Sequence, residues 1–491
     1  MKTDYRNIKN TFFVLIGLAA LSGLPSCTKD ILDTSPKTDI SELTAFSTPE
    51  KILAQVNNLY SRLQRAHFYG GRYILFNEQR GDEFSQNSGN AAEGALIWQH
   101  TALSTDTFVG NLWSFAYQAI NNANIFIDKV QNTTVLDAAL RDQYISEAKF
   151  IRALSYFVLV QVYARPYASD NGASPGLPLR LTPQTSGGND DLARSSVAEV
   201  YSQVIKDLDE AEAGLPAAYS TAALNASRAH KVTAIALKTR VYLAKADYGR
   251  VVAEASKLVP AVAPYAYTAG SLTHRLENNI AAVFSGSYTG NEAIFFLPFN
   301  ATDSPDSQSA LAHNYLGAVI ISLNQAGIYA NPALSSSASA DARRNLITLK
   351  NGLNVLSKFP KITTPFTDYI PVIRYAEVLL NYAEAAAETD DLTRAAALLN
   401  AVRKRSDAAY SFPDAATSTK GALISTILTE RRLELLGEGF RTPDLQRRLQ
   451  PFPAKTGGIG TVAAVSPTAS NYIWPVPADE LGTNKLIQPN P

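Results

Sequence analysis

A single cysteine in 491 residues is the first constraint on this chain. One thiol rules out an intrachain disulfide and a multi-cysteine metal site. Histidine is scarce as well. His67, His100, His230, His274 and His313 lie far apart, form no HExxH and no i,i+4 pair, and so give no zinc-site pattern. Net charge is missing too, because 44 Lys and Arg balance 44 Asp and Glu. A neutral chain without a long charge run has no electrostatic pull toward nucleic acid or an anionic membrane surface. GxGxxG, a Walker loop and a GxSxG elbow are all absent, and Gly457-Gly458-Ile459-Gly460 reads as a loop. The sequence therefore calls for no metal and no cofactor.

What is present begins with an address. Lys2, Arg6 and Lys9 precede an apolar run over 11–24, which is shorter than the roughly 20 residues a bilayer requires. A basic start and a short apolar stretch make a signal peptide over 1–26. It ends at Leu24-Pro25-Ser26-Cys27, a lipobox in which Pro25 is the one unusual choice. The only thiol thus stands where a thioether to diacylglycerol would form, and several acyl chains give stable anchoring at about 0.8 kcal/mol per buried CH₂. Cys27 is the expected lipid attachment site, and the polar stretch 27–40 is the tether. Thr28-Lys29-Asp30 is similar to the surface-export signals of Bacteroidetes lipoproteins.

From residue 41 to the end the chain reads as one domain, mainly α-helical with minor β structure. Val197, Val200, Tyr201, Val204, Ile205, Leu208 and Ala211 form one apolar stripe at helical spacing, capped by Ser195 or Ser196 and closed by Pro216. Residues 147–163 are apolar nearly all round, which predicts a helix buried among others. Segments 234–259 and 376–402 look alike. Each has an Ala-rich helix, a turn containing Asp and a second Ala-rich helix, the texture of tetratricopeptide-like hairpins. Two loop-rich excursions interrupt this scaffold, at 77–111 and at 260–365. Long loops of this kind are often functional.

Several blocks run in order along the chain: Leu32-Asp33 and Phe46-Ser-Thr-Pro-Glu50 after Cys27; Trp113-Ser-Phe-Ala-Tyr117 with Ile120-Asn121-Asn122; Glu147-Ala-Lys-Phe-Ile-Arg-Ala-Leu154 with Gly176-Leu-Pro178; Ile370-Pro-Val-Ile-Arg374 with Tyr382-Ala-Glu-Ala385; Glu430-Arg-Arg-Leu-Glu-Leu435 with Glu438-Gly-Phe-Arg441; and Ile473-Trp-Pro-Val-Pro477. Taken together they resemble the SusD/RagB family. The usual C-terminal Gln-Asn-Pro-Gly-Tyr is here Gln488-Pro-Asn-Pro491. The resemblance implies a tetratricopeptide-like helical fold and an outer-membrane lipoprotein facing the cell exterior. It also implies that the protein delivers a glycan, or in some members a peptide, to a SusC-like TonB-dependent transporter. It does not imply catalysis. A tetratricopeptide scaffold for protein partners and a surface glycan-cleaving enzyme are the competing classes.

The charged stretch 430–448 could hold an acid/base pair. Its spacings instead predict mutual ion pairs of Glu438 with Arg441, Arg441 with Asp444, and Asp444 with Arg448, with Pro443 breaking or bending the helix so that the second half pairs across a turn. Arg374, Glu377 and Glu384 take the same structural role. Trp113 and Trp474 read as packing residues. Trp98 lies in the first excursion near Arg80, Asp82, Glu83 and Asn90, a mix of aromatic face and polar rim that suits a sugar. Trp98, Arg80, Asp82 and Asn90 are therefore the expected ligand-binding residues, with Tyr288 and Tyr315 in the second excursion as weaker candidates.

Overall fold

The computed structural model describes residues 44–185 and 191–490. The signal peptide, Cys27 and the tether lie outside the described residues. The chain falls into two compact units, Met1–Ile52 and Leu53–Pro491, and every site discussed below is in the second. Its longer helices are α1 (Pro49–Leu63), α2 (Arg72–Arg80), α3 (Thr107–Val130), α4 (Ala138–Tyr163), α5 (Val197–Gly214), α6 (Lys231–Ala244), α7 (Tyr248–Ala255), α8 (Tyr375–Glu388), α9 (Leu392–Ser406), α10 (Lys420–Glu434) and α11 (Arg441–Arg447). Among the described residues, ten short strands pair two by two: β1 (Phe84–Gln86) with β5 (Ile321–Leu323), β2 (Tyr267–Ala269) with β3 (Leu272–His274), β4 (Ala293–Leu297) with β8 (Ile370–Arg374), β6 (Ile347–Lys350) with β7 (Leu353–Leu356), and β9 (Lys455–Gly457) with β10 (Gly460–Val462). The protein is mainly α with minor β.

The two look-alike segments are helical hairpins with one shared turn chemistry. Ala246 and Asp390 take a left-handed backbone, φ 56° and 68°. The next residue, Asp247 or Asp391, then caps the second helix by accepting from the backbone N–H of Arg250 or Arg394. An aspartate at this position satisfies one of the four N–H groups that a helix start leaves open. The hairpins pack on each other through Tyr242, Leu243, Val251 and Ala385, with Ile205 of α5 against the same cluster. Ser196 caps α5 in a full capping box with Glu199. From Tyr144 onward α4 is buried on nearly every side, as its sequence predicts.

The charged stretch is structural, but its partners are not the neighbours that helical spacing suggests. Arg374, at the end of β8 and 1% exposed, donates to Glu292 Oε1 at 2.7 Å, Glu434 Oε1 at 2.6 Å and Glu438 Oε2 at 2.8 Å. Arg405 joins Glu292 to Glu434, Lys358 binds Glu438, and Arg343 and Arg403 bind Asp341 and Glu430. Asp341, Glu292, Glu430, Glu434 and Glu438 thus face Arg343, Lys358, Arg374, Arg403 and Arg405, a buried network with no net charge. Glu438 reaches it because Gly437 and Gly439 on either side have φ of 78° and 85°, and a Cβ on Gly437 would lie 2.2 Å from Leu356.

Three sequence expectations are corrected here. Arg441 pairs with Asp82 and Glu83, not with Glu438. Asp444 pairs with Arg431 and Arg447, while Arg448 goes to Glu384 and Glu388. The helix does break in this stretch, but ahead of Pro443: α10 ends at Glu434, α11 begins at Arg441, and Pro443 sits in the first turn of α11, where no N–H from proline is needed. Glu377 binds Arg240 at 2.6 Å and Glu384 binds Arg447 at 2.6 Å, so both are structural as expected.

Candidate functional site

The two loop excursions meet at one cavity of about 430 Å³. The turn before α2 supplies His67, and the first residue of α2 is Arg72. The first excursion supplies Leu96, Phe108 and Asn111, and the second supplies Asp306 and Gln308. The excursions come this close because of Gly71. Its φ is 136°, and a Cβ there would lie 1.9 Å from the carbonyl oxygen of Ser309. Only glycine tolerates both the backbone conformation and the approach. Asp306 shapes the other side, accepting from the Ser309 N–H at 2.9 Å and hydroxyl at 3.1 Å.

The polar groups in this cavity are held in fixed states. Arg72 is buried and its guanidinium sits 4.6 Å over the Phe108 ring. Its Nη2 donates to the Ala92 carbonyl at 2.8 Å, while Nε has no partner among the described residues. Burial pulls its pKa down to about 10, with Asp306 and Glu93 acting the other way, so it stays cationic at neutral pH. Burial lowers His67 to about 4, helped by the charge on Arg72 and opposed by Asp306. Its imidazole is therefore neutral at pH 7, with one nitrogen donating and the other accepting. His67 Nε2 faces Asn111 Nδ2 at 3.3 Å, its ring stacks on Phe115, and Nδ1 has no partner among the described residues. A half-buried phenyl face, a guanidinium, a neutral imidazole, an amide and a carboxylate thus converge on one concave surface. That set can donate to sugar hydroxyls and accept from them beside an apolar wall, with the Phe108 ring held by Arg72 and Phe76.

Larger hollows exist, and in a more spacious one the polar groups are already bonded within the protein. A groove of about 800 Å³ runs along α3 at Trp113 and Tyr117. There Trp113 Nε1 donates to Glu480, Asn121 is bonded to Gln184, and the Tyr117 hydroxyl donates to the Pro178 carbonyl.

The residues expected to bind ligand are not those that line the cavity. Trp98 is 0% exposed, its Nε1 donates to the Phe84 carbonyl at 3.0 Å, and no ring face is open to a sugar. It is a loop tryptophan folded into the core. Asp82 is ion-paired with Arg441 and Arg432. Arg80 is 2% exposed and points away from this cavity, toward Tyr472 and Phe452. Tyr315 is fully buried, and its hydroxyl donates to the Gly437 carbonyl. Asn90 is exposed but caps the helical turn Ala91–Glu93. Tyr288 is half-buried against Tyr369 and lies outside the cavity. Trp113 and Trp474 are buried packing residues, as expected. None of the six expected ligand-binding residues lines the cavity between the excursions. Sequence reasoning missed His67 and Arg72; the one local signal that could have found them is the Gly70-Gly71 pair just before a helix that starts with arginine.

Comparisons with known proteins agree with this architecture. Residues 30–243 match a family model described as "Starch-binding associating with outer membrane", and residues 363–491 match the SusD family model. A SusD-like protein of Formosa agariphila is 24% identical over 542 aligned positions, spanning 99% of each chain. The crystal structure of a SusD superfamily protein from Bacteroides fragilis is 30% identical, with a TM-score of 0.81 over 90% of this chain and 100% of that one. A laminarin-binding SusD-like protein has a TM-score of 0.68 at 21% identity, over 90% of this chain and 99% of its own.

Proposed function

The chain belongs to the SusD/RagB family, and from that premise we propose that it is a lipid-anchored outer-membrane protein that captures a glycan in the cavity between its loop excursions. It then passes the glycan to a SusC-like TonB-dependent transporter. The observation that carries the site is the convergence of Phe108, Arg72, His67, Asn111 and Asp306 on one cavity. An apolar face with a few placed polar groups is the common form of a small-ligand site. The family model's starch-binding description and the laminarin-binding neighbour support a glycan as ligand. Cys27 supports the anchor, as the only thiol at the end of a signal peptide.

A glycan array with the purified protein, followed by calorimetry on the best binder, tests the site. Phe108→Ala should weaken binding by about tenfold or more, roughly 1.4 kcal/mol, with the melting temperature nearly unchanged. Full affinity in both Phe108→Ala and Arg72→Gln would place the ligand elsewhere. The anchor is tested by fractionating cells that carry Cys27→Ala in a strain without the transporter, and the variant should leave the membrane. A pull-down from solubilised membranes should recover a large TonB-dependent barrel, and recovery of the lipoprotein alone would refute the partnership.

A further inference from the structure

Most cations in the protein interior have a carboxylate partner, but Arg72 in the glycan cavity and one group outside it do not. Arg80, at the end of α2, is 2% exposed and makes no ion pair with any described residue. Its Nη2 donates to the Tyr472 carbonyl at 2.8 Å, its guanidinium lies 5.1 Å from the centre of the Phe452 ring, and Nη1 has no acceptor. Lys455 nearby is equally buried and binds only the carbonyls of Gln79 and Gly81. The acid that acts on Lys455, Asp82, is committed to Arg441 and Arg432. His100 stacks on the same Phe452 ring, and neither of its ring nitrogens has a partner among the described residues. Burial, with Lys455 and Arg80 adjacent, holds that imidazole neutral. The region therefore holds a buried guanidinium and a buried amine with no carboxylate paired to either, and burial pulls the pKa of Lys455 well below its usual range.

Arg80 and His100 form part of the wall of a cavity of about 590 Å³. The rest is largely apolar, with Ile97, Leu103, Ile473 and Trp474, and Asn490 contributes an Oδ1 that has no hydrogen-bond partner. A buried charge without a counterion is costly, and an anion seated beside it recovers that cost. A guanidinium also matches a carboxylate geometrically through paired N–H groups. We infer that this cavity is a second ligand site, distinct from the glycan cavity, and that it takes a small organic carboxylate. The carboxylate pairs with Arg80, and the ligand body rests on the apolar wall. The free Asn490 oxygen accepts from a ligand hydroxyl when one is present. This inference does not depend on the glycan reading.

Calorimetry on the full-length protein with sodium benzoate and sodium glucuronate, against benzyl alcohol and glucose as neutral counterparts, tests it. At least one acid should bind tenfold or more tightly than its neutral counterpart. A preference for glucuronate assigns an acidic sugar, and a preference for benzoate an apolar acid. Arg80→Met should abolish the preference while leaving the melting temperature close to wild type, since it removes an unpaired charge. Leu481→Trp, which narrows the cavity and leaves Arg80 in place, should abolish it too and serves if Arg80→Met does not fold. Equal binding of acids and neutral counterparts, or an acid preference that survives Leu481→Trp, would overturn the inference.

Discussion

Replacing Arg374 with methionine should be among the most damaging single changes in this protein. The guanidinium makes five hydrogen bonds, to Glu292, to the carboxylate and carbonyl of Glu434, and twice to Glu438. Methionine fills much of the volume but supplies no donor, so three buried carboxylates lose a partner and the network becomes net negative. Removing one partner from a buried ion pair costs about 3–5 kcal/mol. Arg405, Arg343 and Lys358 remain against these carboxylates and keep the cost within that range. The pH dependence identifies the cause. Arg374 is among the charges that hold Glu434 and Glu438 below the usual carboxylate range. In the native protein these groups add stability above their unfolded pKa of about 4.3, and that stability is lost as pH falls through the folded values. Without Arg374 their folded pKa values rise, protonation relieves the repulsion, and the deficit relative to wild type should shrink between pH 7 and pH 5. Urea unfolding at both pH values measures this. A loss under about 1 kcal/mol, or a deficit that is the same at both pH values, would refute the assignment.

Trp98→Ala should cost about 3–5 kcal/mol in urea unfolding, as for a large buried side chain, and a variant of wild-type stability would return Trp98 to the surface. Asp247→Ala and Asp391→Ala should each cost about 1 kcal/mol, because each removes the cap of a second hairpin helix; a double variant that loses no more than either single one would count against two independent caps. Burial keeps His100, His230 and His274 neutral, the last two near pKa 3 and 4. Their folded pKa values lie below the unfolded 6.5, so the unfolded chain binds more protons and stability falls as pH drops through 6.5. Each should contribute a loss of about 1.2 kcal/mol between pH 7 and pH 5.5. His100→Phe should be less pH-sensitive than wild type by that amount, with the opposing effect of the buried Glu78, which burial raises to about 8, common to both proteins.

How much of this was legible depends on the range of each signal. The hairpins at 234–259 and 376–402 and the cap at Ser196 could be read because helical spacing, capping and turn chemistry act within a few residues. The structural role of 430–448 could also be read, since such charge density with few exposed positions must neutralise itself. Its partners could not. Arg374 lies 60 residues from Glu434 and 82 from Glu292, and helical spacing knows only the next turn. Trp98 was misread for a similar reason. A polar, glycine-rich neighbourhood describes the local chain and not the direction in which the ring points, and that direction was set by the Phe84 carbonyl and the surrounding core.

The sequence by itself determined the class of fold and the family, because each is written in local order along the chain. The tertiary structure decided which side chains share a surface. Gly71 looks like any turn glycine until Ser309, more than 200 residues away, is found against it. That approach brings Arg72, Phe108 and Asp306 to one cavity. It depends on how two loops of different helices settle on a common core, and contacts at that distance are fixed by packing, which local sequence patterns do not encode.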